Sequence, residues 1–439
     1  MGVQASLDRF FEITKRGSTI PTEIKGGVLI FVSMVYIIAV NTGMMTSAGM
    51  DESACYTATI VMAIIGTLLM ALYAKYPVAQ APLMGVNAFF AYTIAGVMGF
   101  TWQEALVAVL VSGAVFFLIA VSGIRKRVLD QIPPSLRYGI TAGIGCFIVF
   151  IGLQNSGIIA NSESTLVTLG DFSDLSVILA FLCIILTLFL YAKKVPGAVF
   201  IGMIVTAVLG IVAGTIPVPD ELVSVPDMPP VGAFLDGISS NLLSVDFIIA
   251  VISLAFVQFF DSTGTLMATG ERAGIIDDKG NVMCDRALNA DSATSLISGL
   301  VGATPTGSFA ESTVGIEAGA RTGLAALTVA VLFAAALFVG PTFSIIDFSC
   351  TVGAMMIVGA AMITQLKGVR WDDWPTAVAV MTTIIITILT YSITDGIVFG
   401  ILFYCICMLG ARRAKEVSPT IYGLAVLFVL YLVLVVGSL

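Results

Sequence analysis

The chain contains no histidine among its 439 residues. Histidine is the side chain whose ordinary pKa lies nearest neutrality, so a proton carried on a side chain near neutral pH must ride on a carboxyl group. Charged residues are scarce as well, at 11% of the chain against about 25% in typical soluble domains. Together with a hydrophobic content of 58%, this scarcity excludes an ordinary soluble domain and indicates an all-α, polytopic membrane protein.

The seven cysteines form no Cys-x-x-Cys pair, and most of them lie in apolar runs. We interpret them as small packing residues, and we expect neither a metal nor a cofactor. The net charge of −8 comes from acidic loops, so we expect no nucleic-acid partner. Four basic residues precede the first apolar run, and no short apolar core with a cleavage site comes before it, which predicts an uncleaved first segment.

Apolar runs of about 20 residues predict fourteen transmembrane segments in a lipid environment. The predicted segments are 26–45, 54–74, 79–98, 103–122, 138–158, 175–191, 196–215, 244–267, 286–302, 303–320, 322–340, 348–366, 375–391 and 394–411. A further apolar tail, 421–439, is either a fifteenth segment or a helix packed along the others.

The basic residues predict the orientation. With the N-terminus in the cytoplasm, none of the predicted outer loops contains Lys or Arg, and all 20 basic residues fall on the inner side. Cytoplasmic loops carry such an excess of basic residues in membrane proteins. We therefore expect a multi-pass protein of the cell membrane, in contact with lipid, whose N-terminus is cytoplasmic.

An internal repeat accompanies this segment count. Gly197-Ala198-Val199-Phe200 and Gly396-Ile397-Val398-Phe399 begin the seventh and fourteenth predicted segments. The third segment of each half also corresponds, at residues 77–92 and 303–315. Seven is an odd number, so the second half must be inverted relative to the first, as in many secondary transporters.

The two corresponding segments are interrupted by proline and glycine. Pro82 and Pro305 each remove a backbone donor and disfavour helix before them, and Gly85 and Gly307 then allow a turn. We expect a short extended stretch followed by a half-helix in segments 3 and 10, although simple kinks are the alternative. The N-termini of two half-helices would present free N–H groups to the centre of the membrane.

Two acidic residues, Asp261 and Glu311, are predicted at membrane depth. A carboxylate there costs about 2.5–3.5 kcal/mol on insertion scales, so it indicates a functional site. Each lies in a stretch that does not resemble an ordinary membrane helix, and we expect both stretches to be broken. A third acid, Asp291, lies near the inner end of the ninth segment, where a solvated or helix-capping role competes with a functional one.

We expect the two half-helices to face each other across a small polar slot, whose side chains have a distinctive chemistry. Asn87 and Glu311 lie just inside the half-helices, and Phe89 and Phe309 offer flat apolar walls, with ordinary packing as the alternative for Phe309. An ionised carboxylate accepts hydrogen bonds and donates none. The slot therefore suits a flat heterocycle with ring N–H groups, such as guanine, whose N1–H and amino group are adjacent.

Several motifs resemble those of a known family, the AzgA-like branch of the nucleobase–cation symporters, whose members are purine permeases for adenine, guanine and hypoxanthine. The matching motifs cover nearly the whole chain and include Pro82-x-Met84-Gly85-x-Asn87-Ala88-Phe89-Phe90-Ala91-Tyr92, Phe260-Asp261-x-x-Gly264-Thr265, Glu311-Ser312-x-x-Gly315-Ile316 and Thr390-Tyr391-Ser392-Ile393-Thr394-Asp395-Gly396.

The resemblance implies a core domain and a gate domain that together form an elevator-type transporter, which often dimerises through its gate domains. The implied parts are a cytoplasmic N-terminus (1–25), the core (26–122 and 244–340), the gate (123–215 and 341–411), an extracellular loop (216–243) and the C-terminal tail (412–439). It places the base between segments 3, 8 and 10. The implied base-binding residues are Asn87, Ala88, Phe89, Asp261, Thr265, Ser308, Phe309, Ala310 and Glu311, and the candidates for proton coupling are Asp261, Asp291 and Glu311.

The leading function is therefore import of a purine base with a proton. The same fold carrying another small anion or heterocycle is one alternative, although two carboxylates in the slot would repel an anion. Coupling to Na⁺ through Asp261 is another. A passive channel and an intramembrane aspartyl protease are more remote, and the Gly-x-Gly-Asp setting that such a protease needs does not occur in the sequence.

Overall fold

The computed structural model describes residues 3–122, 133–218, 223–275, 284–343 and 345–434, which are mostly helical. The predicted domain boundary at residue 123 and the last residues of the apolar tail, 435–439, lie outside these ranges. The α-helices are α1 (Val3–Phe11), α2 (Ile20–Met34), α3 (Ile37–Ser47), α4 (Glu52–Leu68), α5 (Met84–Ala88), α6 (Trp102–Ser122), α7 (Pro134–Asn155), α8 (Leu175–Ala192), α9 (Ala198–Ala213), α10 (Val245–Ala273), α11 (Asp285–Val301), α12 (Ser312–Glu317), α13 (Gly323–Ala336), α14 (Gly340–Phe343), α15 (Phe348–Ile363), α16 (Trp374–Leu389), α17 (Ile393–Gly410) and α18 (Pro419–Leu434).

Shorter elements complete the chain. The π-helical turns Leu69–Ala74 and Phe89–Val97 extend α4 and α5. The strands are β1 (Gln80–Pro82), β2 (Ile159–Ser162), β3 (Leu166–Leu169) and β4 (Thr306–Ser308). β2 and β3 form a hairpin in the loop before α8, whereas β1 pairs with the distant β4.

Within the described ranges, seven helical spans are long and apolar enough to cross a membrane by length and composition: Ile20–Ser47, Glu52–Ala74, Trp102–Ser122, Pro134–Asn155, Leu175–Ala192, Val245–Ala273 and Phe348–Gly368. Shorter apolar helices of 10–17 residues are Met84–Val97, Ala198–Ala213, Gly323–Val339, Trp374–Leu389 and Asp395–Gly410. α11 belongs to neither set, because it carries many polar side chains. The polar side chains from Asp291 onward are nevertheless buried, whereas Asp285 and Arg286 at its start are exposed.

The helices pack into two bundles. In the first bundle, α6 packs on α10 and α11, α13 packs on α2 and α4, and α4 packs on β1. In the second bundle, α15 packs on α7, α8 and α9, and α16 packs on α7 and α17. The bundles meet where α5 contacts α7 and where α3 contacts α15. A continuous cluster of buried apolar side chains, including Met34, Phe90 and Phe147, runs through both.

The expectation that Asp261 lies in a broken segment is wrong. α10 continues without interruption from Val245 to Ala273. This stretch contains no proline, and Gly264 remains in the helix, where a glycine costs only about 1 kcal/mol relative to alanine. The described part of the apolar tail belongs to α18, which packs against α17.

Candidate functional site

Two distant pieces of extended chain pair at the centre of the first bundle. β1 and β4 are antiparallel, with Ala81 opposite Gly307. The N–H of Leu83 donates to the Pro305 carbonyl at 2.9 Å, and the N–H of Phe309 donates to the Ala79 carbonyl at 3.0 Å. Both stretches are buried. Non-helical backbone at membrane depth must be buried in protein and hydrogen-bonded there. The pairing satisfies this requirement and fixes where α5 and α12 begin.

Glu311 immediately precedes α12, three residues after the end of the paired strand at Ser308. The phenol of Tyr36 donates a hydrogen bond to Oε1 of this carboxylate. Tyr36 lies between α2 and α3 and is almost fully buried, whereas Glu311 is partly accessible and the adjacent Ala310 is exposed. The Glu311 carboxylate is therefore fixed by a buried donor, the Tyr36 phenol, and remains partly accessible beside the exposed Ala310.

Asp261 lies on α10 where the two bundles meet. It lines a cavity of about 20 Å³ together with Gly85 of α5 and with Arg137 and Thr141 of α7. Such a volume holds about one water molecule and is too small for a heterocycle. α10, which carries Asp261, packs against α12, which follows directly after Glu311. The two acids singled out in the sequence therefore belong to contacting parts of the first bundle, and the bundles are closed around Asp261 in this conformation.

Asp291 lies behind the strand pair. It is fully buried within α11, and one of its oxygens accepts a hydrogen bond from the Ser308 hydroxyl at 3.1 Å. A solvated or helix-capping role for Asp291 is therefore wrong. A Cβ atom on Gly307 would lie 3.0 Å from the other oxygen of Asp291 and 3.1 Å from the Ser262 hydroxyl. The close approach of Asp291 and Ser262 to β4 requires glycine at this position.

The remaining predicted site residues divide by accessibility. Thr265, one helical turn after Asp261, is partly accessible, as Glu311 is. The buried ones are Asn87, Ala88, Phe89, Ser308 and Phe309. Neither amide atom of Asn87 has a hydrogen-bond partner in the described part of the chain. A buried amide without a partner costs about 1–3 kcal/mol, which is consistent with a group kept for a ligand or a water molecule.

Three residues at the site were not identified from the sequence. Tyr36 contributes the donor to Glu311, Arg137 faces the cavity of Asp261, and the fully buried side-chain amide of Gln80 lacks partners among the described residues, as that of Asn87 does. In the sequence, Tyr36 is noticeable only as a hydroxyl within an apolar run, and Gln80 only as an amide within a proline-broken segment. Neither feature indicates which distant side chain the residue contacts.

Comparisons with known proteins agree with one another. The permease family profile that covers xanthine and uracil permeases matches residues 21–401. The guanine/hypoxanthine permease PbuG of Bacillus subtilis (strain 168) is 40% identical over 97% of this chain and 99% of its own length. The adenine permease AdeQ of Escherichia coli (strain K12) is 35% identical over 98% of this chain and 97% of its own length.

Among solved structures, the transmembrane domain of the cyanobacterial bicarbonate transporter BicA superimposes with a TM-score of 0.66 at 16% sequence identity. The match covers 87% of this chain and 97% of that domain, and it shows a shared transporter fold. The relatives are named as permeases and the described helices are repeatedly long and apolar, so the protein is a multi-pass membrane transporter and not an enzyme. The chain belongs to the permease family of xanthine and uracil permeases.

Proposed function

We propose that this transporter imports purine nucleobases by symport with protons, and that it prefers guanine and hypoxanthine to adenine. One observation carries the proposal. Asp261 and Glu311 are partly accessible carboxylates on contacting parts of the first bundle, which also holds the buried strand pair, and Asp261 faces the second bundle. The names of the relatives, which include guanine/hypoxanthine and adenine permeases, support a purine as the ligand.

The preference among bases follows from hydrogen-bond chemistry. An ionised carboxylate only accepts hydrogen bonds, and it accepts two parallel donors well. Guanine presents N1–H beside its amino group, and hypoxanthine presents N1–H. Adenine has an acceptor at N1, which would face the lone pairs of the carboxylate. We therefore assign Glu311 as the acceptor for the ring N–H, with Asp261, Thr265 and Ala310 bordering the base.

The coupling ion is proposed from the side chains available. The chain has no histidine, and the polar centre of the first bundle contains the partly accessible carboxyl groups of Asp261 and Glu311 and the buried one of Asp291. Protonation of Asp261 would neutralise the first bundle at its contact with the second and lower the cost of moving it. An unprotonated, empty carrier would still hold that charge at low dielectric and move reluctantly. Na⁺ bound by Asp261 and neighbouring hydroxyls is the competing arrangement.

We also propose that the transporter works by an elevator-type mechanism, in which one domain moves relative to the other. We take the first bundle as the core and the second as the gate, within fourteen segments arranged as two inverted repeats. The support is that β1 and β4 lie at corresponding places in the two halves and pair antiparallel, and that each bundle packs mostly within itself. A dimer through the gate helices and a cytoplasmic N-terminus complete the proposal. The distribution of basic residues supports that orientation.

The deciding experiment is uptake of radiolabelled guanine, hypoxanthine and adenine into proteoliposomes that contain the purified protein. With an inwardly directed proton gradient and no Na⁺, guanine and hypoxanthine should accumulate, and a proton uncoupler should abolish the accumulation. Unlabelled adenine and uracil should compete poorly with labelled guanine. Empty liposomes provide the control.

The base preference, the proton coupling and the substrate class can each be contradicted by a separate result. Strong preference for adenine would overturn the role of Glu311 as an acceptor-only group. Uptake that requires Na⁺ and ignores the uncoupler in the absence of a pH gradient would reject proton coupling. Transport of bicarbonate or another anion, with no transport of bases, would reject purine import altogether.

A further inference from the structure

A second, much larger cavity lies away from the central carboxylates. Its volume is about 780 Å³, within the range of about 300–1,000 Å³ that is common for small-molecule pockets. It is lined by α3, by the start of α4, by the loop near Pro226 and by the N-terminal end of α15. Under the proposed orientation this is the extracellular side, so a base that approaches from outside meets this cavity first.

A buried hydroxyl in this cavity lacks a partner. Thr57 of α4 lines the cavity and is 3% exposed, and its Oγ1 makes no hydrogen bond within the described ranges of the chain. The other threonine hydroxyls along the same walls each donate to a backbone carbonyl. The Thr46 hydroxyl donates to the Thr42 carbonyl at 2.9 Å, and the Thr351 hydroxyl donates to the Phe348 carbonyl at 3.2 Å. Thr57 is therefore the lining threonine whose buried hydroxyl lacks an internal partner among the described residues.

Aromatic rings line part of the cavity. Phe343 is partly accessible and its ring centroid lies 6.0 Å from that of Tyr56. Phe348, at the start of α15, reaches across to α3, where a Cβ atom on Gly43 would lie 3.3 Å from its Cζ. Purine rings stack on aromatic faces regardless of their substituents. The cavity thus combines flat apolar walls with a free hydroxyl.

The charged side chains that line the cavity are all acidic. Asp51, Glu52, Asp227 and Asp347 line it, and none of the described lining residues is basic. Asp51 and Asp347 also cap α4 and α15, so their positions are fixed by the fold. A cavity lined by one sign of charge repels ligands of the same sign. Neutral bases are admitted, whereas anionic oxopurines such as urate are disfavoured before they reach the centre.

We propose that this outer cavity is a docking site for neutral purine bases, distinct from the central site at Asp261 and Glu311. The ring rests between Phe343 and Phe348, and the Thr57 hydroxyl bonds a ring nitrogen or carbonyl oxygen. Ala39 and Gly43, which line the cavity, follow Tyr36 by about one and two turns along α3. The docked base is thus separated from Glu311 by Tyr36. This proposal rests on the proposed purine transport and adds a second place where the base binds.

The test measures binding of radiolabelled guanine to the full-length protein in detergent. Glu311→Ala disables the central site, so the guanine that still binds reports the outer cavity. Adding Thr57→Val to Glu311→Ala should weaken this remaining binding by about three- to tenfold, the effect of losing one neutral hydrogen bond. Adding Thr351→Val instead should change it little, because the Thr351 hydroxyl is already bonded to the backbone. Urate should displace little of the bound guanine.

A transport assay gives the second readout. In the otherwise unchanged protein, Thr57→Val should raise the half-saturating guanine concentration and leave the maximal uptake rate intact. The outer site is rejected if Glu311→Ala protein binds no guanine while the wild type does, or if Thr57→Val alters neither measurement. Wild-type protein that binds no purine contradicts the proposed function itself, so the two failures are distinguishable.

Discussion

The phenol of Tyr36 donates its hydrogen bond to the Glu311 carboxylate, a residue 275 positions later in the chain. Tyr36 is almost fully buried where α2 gives way to α3, and Glu311 lies just before α12. The bond joins the start of the first bundle to the strand-and-helix unit that carries the central site. It also fixes one oxygen of a carboxylate that we assign to base binding.

Removal of this donor should weaken base binding without unfolding the protein. Tyr36→Phe keeps the ring and its packing but releases the Glu311 carboxylate. Hydrogen bonds to charged groups contribute about 1.5–3 kcal/mol, so we expect guanine affinity to fall by roughly tenfold or more. Equilibrium binding of radiolabelled guanine in detergent measures the change.

A second tyrosine supplies the matched control. Tyr76 is buried, and its hydroxyl donates to the backbone carbonyl of Leu266 at 3.2 Å. Tyr76→Phe should cost similar stability but leave guanine affinity unchanged. Equal losses of affinity in the two variants would show that Tyr36 acts only through the stability of the fold.

The strand β4 should not tolerate a side chain at Gly307. In Gly307→Ala the new Cβ would lie 2.8 Å from Leu83 Cδ1 and would crowd Asp291 and Ser262. Overpacking of this kind typically costs about 1–3 kcal/mol, so the unfolding temperature in detergent should fall. Gly423→Ala in α18 is the control, because its Cβ would meet no atom within 4 Å. A Gly307→Ala protein as stable as the control would contradict the tight packing around Asp291.

The sequence predicts much of the helical framework because apolar runs specify it locally. The predicted segment 103–122 corresponds to α6 (Trp102–Ser122), and the segment 175–191 corresponds to α8 (Leu175–Ala192). The continuity of α10 could not be inferred in the same way. Gly264 fits both a helix and a break, and the surrounding packing decides between them.

The site itself was only partly predictable. Carboxylates at membrane depth identify Asp261 and Glu311, because such residues are too costly to occur without a role. The partner of Glu311 and the burial of Asp291 depend on contacts between residues far apart in sequence. No local pattern specifies that Ser308 contacts Asp291, because the burial of a side chain on α11 depends on the elements that pack against that helix.

A surface cluster on the side of α16 and α17 predicts a pH-dependent stability. Asp373 precedes α16 and accepts hydrogen bonds from Thr376 and Arg413. Burial acts to raise the pKa of Asp373, but these two hydrogen bonds and the positive charges of Arg413 and Arg370 together outweigh it and hold the pKa below its ordinary value. A lowered carboxyl pKa contributes stability that is present above the ordinary value of about 4 and is lost as the pH falls through the lowered value.

Asp373→Asn should therefore be less stable than the wild type at neutral pH, by about 1 kcal/mol for a partly exposed pair. The difference should shrink as the pH is lowered below the ordinary carboxyl value of about 4 and the carboxyl becomes protonated. Unfolding temperatures in detergent across this range measure it. Asp372→Asn, which alters the exposed neighbouring carboxylate, is the control. A difference that stays constant with pH would exclude the ionised carboxylate as its cause.

Asp261 is the residue whose neutralisation should separate binding from coupling. Its carboxyl faces the second bundle across a cavity that has room for about one water molecule and that is also lined by Arg137. Asp261→Asn keeps the size and the accepting oxygen of the side chain but fixes it in an uncharged state. We expect this variant to exchange guanine across the membrane, down its gradient, and to lose accumulation driven by a proton gradient.

Two measurements on the same proteoliposomes test this expectation. Counterflow, with unlabelled guanine inside and labelled guanine outside, reports exchange, and uptake under an imposed pH gradient reports coupling. Asp291→Asn is the comparison, because Asp291 is fully buried behind β4 and bonded to Ser308. If Asp291→Asn abolishes gradient-driven uptake and Asp261→Asn does not, the proton rides on the buried carboxyl behind the strands. Asp261, the accessible carboxyl at the contact between the bundles, would then act in base binding alone.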